Sequence, residues 1–326
     1  MSATNIPYHL RTNKAIDRQI FFEILNRLSL RNKVQTYKYV SLGGPMLEDH
    51  HILHHSLGIT NLESVERDKA VYSRQEFNRV YNCIKCLNTS IGEYINNFER
   101  QGSTIVWLDY TNTQWNTQLI EFSDLLNKLD EFDICKITIN ANPDSLVDFS
   151  DKELDRLEVF RKRASGKFFN ENVLINDVTT MDRFALTLSE MIHTAVQSTL
   201  DLTEELSFFP ITIFRYIDNR CQMLSVTGIV LKKNDGEGIS NLIKDSHLDV
   251  TSHICSSWND VHEINVPDLT LREKFEINKM LPIKDGMVDV DQLPFKLNNN
   301  GIRARKEIES YMKYYRYIPN FQKLSM

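Results

Sequence analysis

Two strand-like runs, at 209–217 and 221–231, are joined only by Asp218-Asn219-Arg220. A parallel crossover needs a dozen or more residues, so these two strands must run antiparallel. Upstream the chain has a different rhythm. Apolar runs at 39–42, 62–65, 81–87, 104–108 and 133–139 alternate with stretches of helical periodicity. That alternation predicts an α/β fold with a parallel, doubly wound sheet. The hairpin then finishes the sheet with an antiparallel strand, which an all-parallel dinucleotide-binding domain lacks.

The helices between the strands are marked by apolar stripes and stop signals. Ile16, Ile20, Ile24 and Leu28 line a helix over 14–30, with Phe21 and Leu25 beside them. Further helices are expected at 69–80, from the Asn88-Thr89-Ser90 cap to 98, and at 115–129. After the fifth strand, Ser150-x-x-Glu153 forms a capping box ahead of a charged helix. The basic run Arg161-Lys162-Arg163 with Lys167 suits a lid, a substrate contact or a solvated helix face. Met181, Phe184, Leu188, Met191 and Ala195 follow core-facing helical spacing.

The polar, glycine-containing stretch 236–256 reads as a linker between a domain over 1–235 and a smaller one over 257–326. The second part opens with a Thr270-x-x-Glu273 capping box and carries helices at 271–281 and 302–315. Arg303, Arg305, Lys306, Lys313, Arg316 and Lys323 interleave there with Tyr311, Tyr314, Tyr315, Tyr317 and Phe321. Basic residues among aromatics can bind nucleic acid. Tyrosines in small helical units also serve simply to pack.

Composition narrows the class. A 41% hydrophobic share over 326 residues indicates a packed globular chain, and a formal net charge of -6 argues against a generally basic nucleic-acid coat. No apolar run reaches membrane-spanning length, and 1–14 lacks a signal-peptide core, so a cytoplasmic location without membrane attachment is expected. Cys83, Cys86, Cys135, Cys221 and Cys255 are scattered and odd in number, which disfavours a disulfide framework.

The chemistry concentrates in 39–68, YVSLGGPMLEDHHILHHSLGITNLESVERD. A first strand ends in Gly43-Gly44-Pro45, a helix follows to Gly58, and a second strand closes on Glu66-Arg67-Asp68. A glycine turn lets backbone approach a ligand, and an acid closing the second strand can accept hydrogen bonds from ribose hydroxyls. This points to a nucleoside-containing ligand held by Gly43, Gly44 and Glu66. Neither G-x-G-x-x-G nor Gly-Lys-Ser/Thr is present. Asp109 and Tyr110 end the fourth strand at the crevice of such sheets, where Asp109 is a candidate base and otherwise a helix cap. His50, His51, His54 and His55 form two i,i+4 pairs that suit a metal, a proton shuttle or plain packing.

The stretch 39–68, the sequence Trp107-Leu108-Asp109-Tyr110 and the hairpin together resemble a family of bacterial O-methyltransferases of the class I, S-adenosylmethionine-dependent type. The resemblance implies a mostly parallel, seven-stranded Rossmann-like methyltransferase sheet and a small C-terminal winged-helix-like domain. It implies S-adenosylmethionine as cofactor, with Asn88, Thr89 and Asp109 joining Gly43, Gly44 and Glu66 in holding it. Asp49, in the helix after the glycine turn, matches the family's acid and joins Asp109 and Tyr110 as a candidate catalytic residue; His55 matches a family histidine. One departure is the usual first-strand acid, replaced here by Ser41-Leu42. Two readings follow: a methyltransferase, with a part in bacterial defence, or an inactive sensor that binds cofactor and a protein or nucleic-acid partner through its C-terminal domain.

Overall fold

The apolar runs become strands of one sheet in the computed structural model, which describes residues 11–147, 155–200, 205–233, 236–250, 253–255, 257–282 and 290–319. The strands are β1 (Lys38–Ser41), β2 (Asn61–Val65), β3 (Ile84–Leu87), β4 (Thr104–Asp109), β5 (Ile134–Asn140), β6 (Leu206–Asp218), β7 (Cys221–Lys232) and β8 (His262–Ile264). Their order is β3-β2-β1-β4-β5-β7-β6-β8. β1 to β5 pair in parallel, and β7 runs antiparallel to both β5 and β6. The doubly wound sheet with its closing hairpin is therefore present.

The strand number needs correction. Seven were expected and eight are found among the described residues, because His262–Ile264 adds to β6 in parallel. Three residues are too short to show an alternating pattern in sequence.

The helices are α1 (Thr12–Leu28), α2 (Glu48–Leu57), α3 (Lys69–Asn78), α4 (Ile91–Asn96), α5 (Trp115–Leu126), α6 (Arg156–Ala164), α7 (Met181–Gln197), α8 (Gly236–Asp245), α9 (Leu271–Asn278) and α10 (Gly301–Tyr314). They cover both faces of the sheet. Val40, Val106 and Leu108 pack with Trp115, Phe160 and Phe184 of α5, α6 and α7. Tyr39, Ile105 and Trp107 pack with Ile16, Phe21 and Leu25 of α1. Neighbouring residues of one strand enter opposite cores because strand side chains alternate. Burial of both faces is why these strands read as unbroken apolar runs.

Within the stretch expected to link two parts, 236–245 is helix, and Leu242 and Leu248 are buried. Ile277, Ile308 and Tyr311 of α9 and α10 share the core of α1. Tyr311 and Tyr314 are buried, so these aromatics serve packing. The Ser150-x-x-Glu153 box falls outside the described residues; α6 opens with a box made by Asp155 and Glu158. Among the described residues no helix is long and apolar enough to cross a membrane.

The strand order reverses between β1 and β4. In open parallel sheets the carboxyl ends of strands beside such a reversal leave a crevice for ligands. Both candidate regions of the molecule lie there, one on each face.

Candidate functional site

The glycine turn is shaped by what packs beneath it. A Cβ at Gly43 would stand 2.5 Å from Ser64 Oγ and 2.7 Å from His50 Cε1. Gly44 adopts a left-handed φ of 54°. Its carbonyl accepts from Gln75 Nε2 at 2.9 Å, and the Pro45 carbonyl accepts from Asn78 Nδ2 at 2.7 Å. Side chains of α3 thus pin the turn from outside, and Gln75 is its buried residue.

Beyond the ends of β1, β2 and β4 lies a cleft of about 270 Å³, walled by Leu42, Glu66, Thr89, Tyr110, Gln118 and Glu121 among others. Glu66 Oε1 accepts from the Asp68 amide at 2.7 Å. Half-burial raises the Glu66 carboxyl, while that amide works against the rise. Asp68 itself caps α3 through the Ala70 and Val71 amides. Asn88 Nδ2 donates to the carbonyls of Glu66 at 2.8 Å and Arg67 at 3.2 Å, tying the exits of β3 and β2 together. Thr89 Oγ1 donates to Glu93 Oε2 beside the capping box of α4. The Tyr110 hydroxyl donates to Glu121 Oε2 at 2.6 Å. Burial first, and then the Glu121 charge, push that phenol well above its ordinary range.

Glu66, Thr89 and Tyr110 therefore share one cleft, whereas Gly43, Gly44 and Asn88, also expected to hold the cofactor, are not among its lining residues. Asp109 and Asp49 lie on the opposite face of the sheet. Asp109 Oδ2 accepts from Lys14 Nζ at 2.8 Å, so the helix-cap alternative is not its role. Asp49 Oδ1 stands 2.6 Å from Arg18 Nε, and Arg18 Nη1 donates to Glu48 Oε2 at 2.9 Å. Burial raises the Asp49 carboxyl against the pull of Arg18. Next to them Lys136 Nζ donates to Asp17 Oδ1 at 2.8 Å and lies 5.1 Å from the Trp107 ring centre. Burial lowers the Lys136 ammonium, with Asp17 opposing.

Several of these residues escape sequence reasoning. Lys14, Asp17 and Arg18 read as the wet side of an amphipathic helix, and Glu121 as an ordinary helix-face acid. Lys136 did leave a signal: it is a lone charge inside the apolar run Cys135 to Ile139.

The histidines divide their tasks. His50 is fully buried and donates from Nε2 to the Glu63 carbonyl at 3.0 Å. Burial pushes its pKa down to about 4. His54 Nδ1 donates to the Ile59 carbonyl at 2.9 Å, and His55 Nε2 shares a 2.7 Å hydrogen bond with the Tyr81 hydroxyl. Among the described residues no cluster of His, Cys, Asp or Glu is arranged to hold a metal ion.

Comparison with known proteins gives one extensive match. A family model described as "Putative O-methyltransferase" matches residues 6–326. No curated protein matches the chain. Similar solved structures include a protein described as "a putative O-methyltransferase from Klebsiella pneumoniae" (8% identity, 71% of this chain and 84% of that chain, TM-score 0.41). An O-methyltransferase from Bacillus cereus in complex with SAH covers 70% of this chain and 84% of its own at 8% identity and TM-score 0.37. The N-methyltransferase NodS from Bradyrhizobium japonicum WM9, in complex with S-adenosyl-L-homocysteine, covers 70% of this chain and 93% of its own at 11% identity and TM-score 0.39.

Proposed function

Because the chain belongs to this O-methyltransferase family, we propose that it transfers a methyl group from S-adenosylmethionine to an oxygen acceptor. The observation that carries the reading is the cleft at the ends of β1, β2 and β4, with the Glu66 carboxylate in its wall. Leu42, Val65 and Ile91 give that cleft an apolar side, and Glu66, Thr89 and Gln118 a polar one. A nucleoside has the same division between a flat base and a hydroxylated sugar.

When bound, the cofactor supplies an electrophilic methyl group on a sulfonium. The chain's task is then alignment, together with removal of a proton from the acceptor. Glu66 accepts from the ribose hydroxyls. Tyr110 shapes the cleft through its bond to Glu121, whereas Asp109, ion-paired with Lys14 on the other face of the sheet, does not line it.

Calorimetric titration with S-adenosylmethionine and S-adenosylhomocysteine tests the assignment. Glu66→Ala should weaken both by about 1–3 kcal/mol, the effect of losing a hydrogen bond to a charged group. Heat with NAD or ATP, and none with either sulfur compound, would overturn it. Cofactor binding without transfer of labelled methyl to any metabolite, RNA, DNA or protein fraction would favour a sensor over an enzyme.

A further inference from the structure

The basic run at the end of α6 stands outside the cleft but beside it. Between positions 156 and 167 five bases, Arg156, Arg161, Lys162, Arg163 and Lys167, face one acid, Glu158. The chain as a whole carries a formal net charge of -6, so this stretch is a local reversal of sign. Glu158 is occupied, its carboxylate accepting from the Asp155 amide in the capping box that opens the helix. Arg156 is paired with Asp144 at 2.9 Å. Arg161, Lys162 and Lys167 are exposed, and among the described residues no carboxylate forms an ion pair with them. The negative end of α6 accounts for cations in its last turn, but Lys167 lies beyond that end.

The patch is fixed to the wall of the cleft. Arg163 Nη1 donates to the Ser145 carbonyl at 2.7 Å and to Thr113 Oγ1 at 3.5 Å. A Cβ at Gly166 would collide with the Asn116 side chain, so the turn after α6 lies directly on the start of α5. Phe160 of α6 meets Trp115 edge-on, with ring centres 5.4 Å apart. Thr113, Trp115 and Asn116 thus contact α6 and its turn, while Thr111, Asn112, Gln114 and Thr117 of the same segment line the cleft. Apart from Trp115, the segment 111–118 carries only hydroxyl and amide side chains. It has the cleft on one side and the cations on the other.

This arrangement suits a chain of anions better than a single one. With 3.6 residues per turn, Arg161 and Lys162 leave the helix about 100° apart. Diverging cations meet successive charges along a polymer, whereas one phosphate needs them to converge. Lys and Arg, together with Thr, Asn and Gln, are the side chains that contact the phosphates and sugars of nucleic acids. The other basic stretch, at 303–316, does not compete: Tyr311 and Tyr314 are buried there, and Arg303 is paired with Glu307. The oxygen acceptor then narrows the polymer. Every ribose of RNA carries a 2′-hydroxyl that DNA lacks.

We propose that Arg161, Lys162 and Lys167 form a docking surface for the phosphate backbone of single-stranded RNA, which brings a ribose 2′-hydroxyl to the cleft as methyl acceptor. The acceptor role rests on the methyl-transfer reading; the docking role does not. In the transfer the ribose oxygen forms the new C–O bond. The C–S bond of the sulfonium breaks with its electron pair left on sulfur, and the hydroxyl proton passes to water.

Fluorescence anisotropy with a labelled single-stranded RNA of mixed sequence tests the surface. The RNA is titrated into wild type and into Arg161→Ala/Lys162→Ala/Lys167→Ala. A control, Lys33→Ala/Arg272→Ala/Lys306→Ala, removes the same charge from exposed positions elsewhere. The patch variant should bind at least tenfold more weakly. Its slope of log affinity against log salt should fall by about 2, at roughly 0.7 for each single-strand phosphate contact. The control should stay within about twofold of wild type, and thermal unfolding verifies that each variant folds. No RNA binding by wild type, or equal weakening in both variants, overturns the proposal. So does displacement of the RNA by poly-L-glutamate at equal charge, which would assign the surface to an acidic protein.

Methyl-labelled cofactor with total cell extract then follows the acceptor. Label in RNA, recovered after alkaline hydrolysis in uncut dinucleotides and reduced at least tenfold by the patch variant, supports the ribose assignment. Label in RNA mononucleotides, or only in DNA, metabolite or protein, overturns it. Patch-dependent RNA binding with no label in any fraction sinks the methyl-transfer reading and leaves the docking surface standing.

Discussion

His50 sits fully buried beneath the glycine turn, and its depressed pKa makes it a pH-dependent contributor to stability. Its ordinary value of 6.5 applies in the unfolded chain, and about 4 applies in the fold. Between those values the unfolded chain binds the proton and the folded chain does not, so stability falls as pH drops through that window. The loss from this one group approaches roughly 3 kcal/mol at pH 4. Urea denaturation at pH 7 and pH 4.5 should show a fall that His50→Asn shrinks. An equal fall in the variant would assign the acid sensitivity elsewhere. Gly43, directly above, answers to a different constraint. Any Cβ there collides with Ser64 and His50, so Gly43→Ala should destabilise by about 1–3 kcal/mol, as overpacking does. Unchanged midpoints in denaturant would show that the turn can shift to make room.

Among the elements, α1 is held by charge as well as by its apolar stripe. Lys136 and Asp17 are 1% and 0% exposed, and breaking such a pair strands a buried charge. Asp17→Asn should therefore cost about 3–5 kcal/mol, whereas Asp17→Leu with Lys136→Met should be close to neutral. Denaturation midpoints of both variants decide this; a double variant as weak as the single one would mean that shape, not charge, governs the site. This pair also marks the limit of what the sequence discloses. The strands were legible because two-sided burial writes continuous apolar runs, and the glycine turn and the Thr270-x-x-Glu273 capping box because their chemistry is local. Lys136 stood out within its strand, but its partner lies 119 residues away. Pairings set by how α1 crosses the sheet have no local trace. The same holds for the placement of Asp109, whose identity as a strand-end acid was readable and whose face was not.

At the scale of the whole molecule, the C-terminal stretch is built into the sheet and its core. β8 extends the sheet beside β6, and Ile264, Ile277, Ile308 and Tyr314 join the residues that bury α1. Scanning calorimetry of the intact chain should accordingly show one transition. A chain ending at 256 should melt roughly 10 °C lower or more, since it loses a covered edge and part of one core. Two resolved transitions, or a truncated chain of undiminished stability, would show that the parts fold independently.

The separation of Asp109 from Tyr110 has a consequence for how such a protein can change. The two residues share a peptide bond, yet one side chain meets α1 and the other meets Glu121 of α5. Strand periodicity makes this division systematic, with odd positions of β4 packing toward α1 and even positions toward α5. Mutations along a single strand can thus change the contacts on one face of the sheet while leaving those on the other in place. A lineage could explore new recognition on the α1 side step by step, without first dismantling the nucleoside-sized cleft behind it.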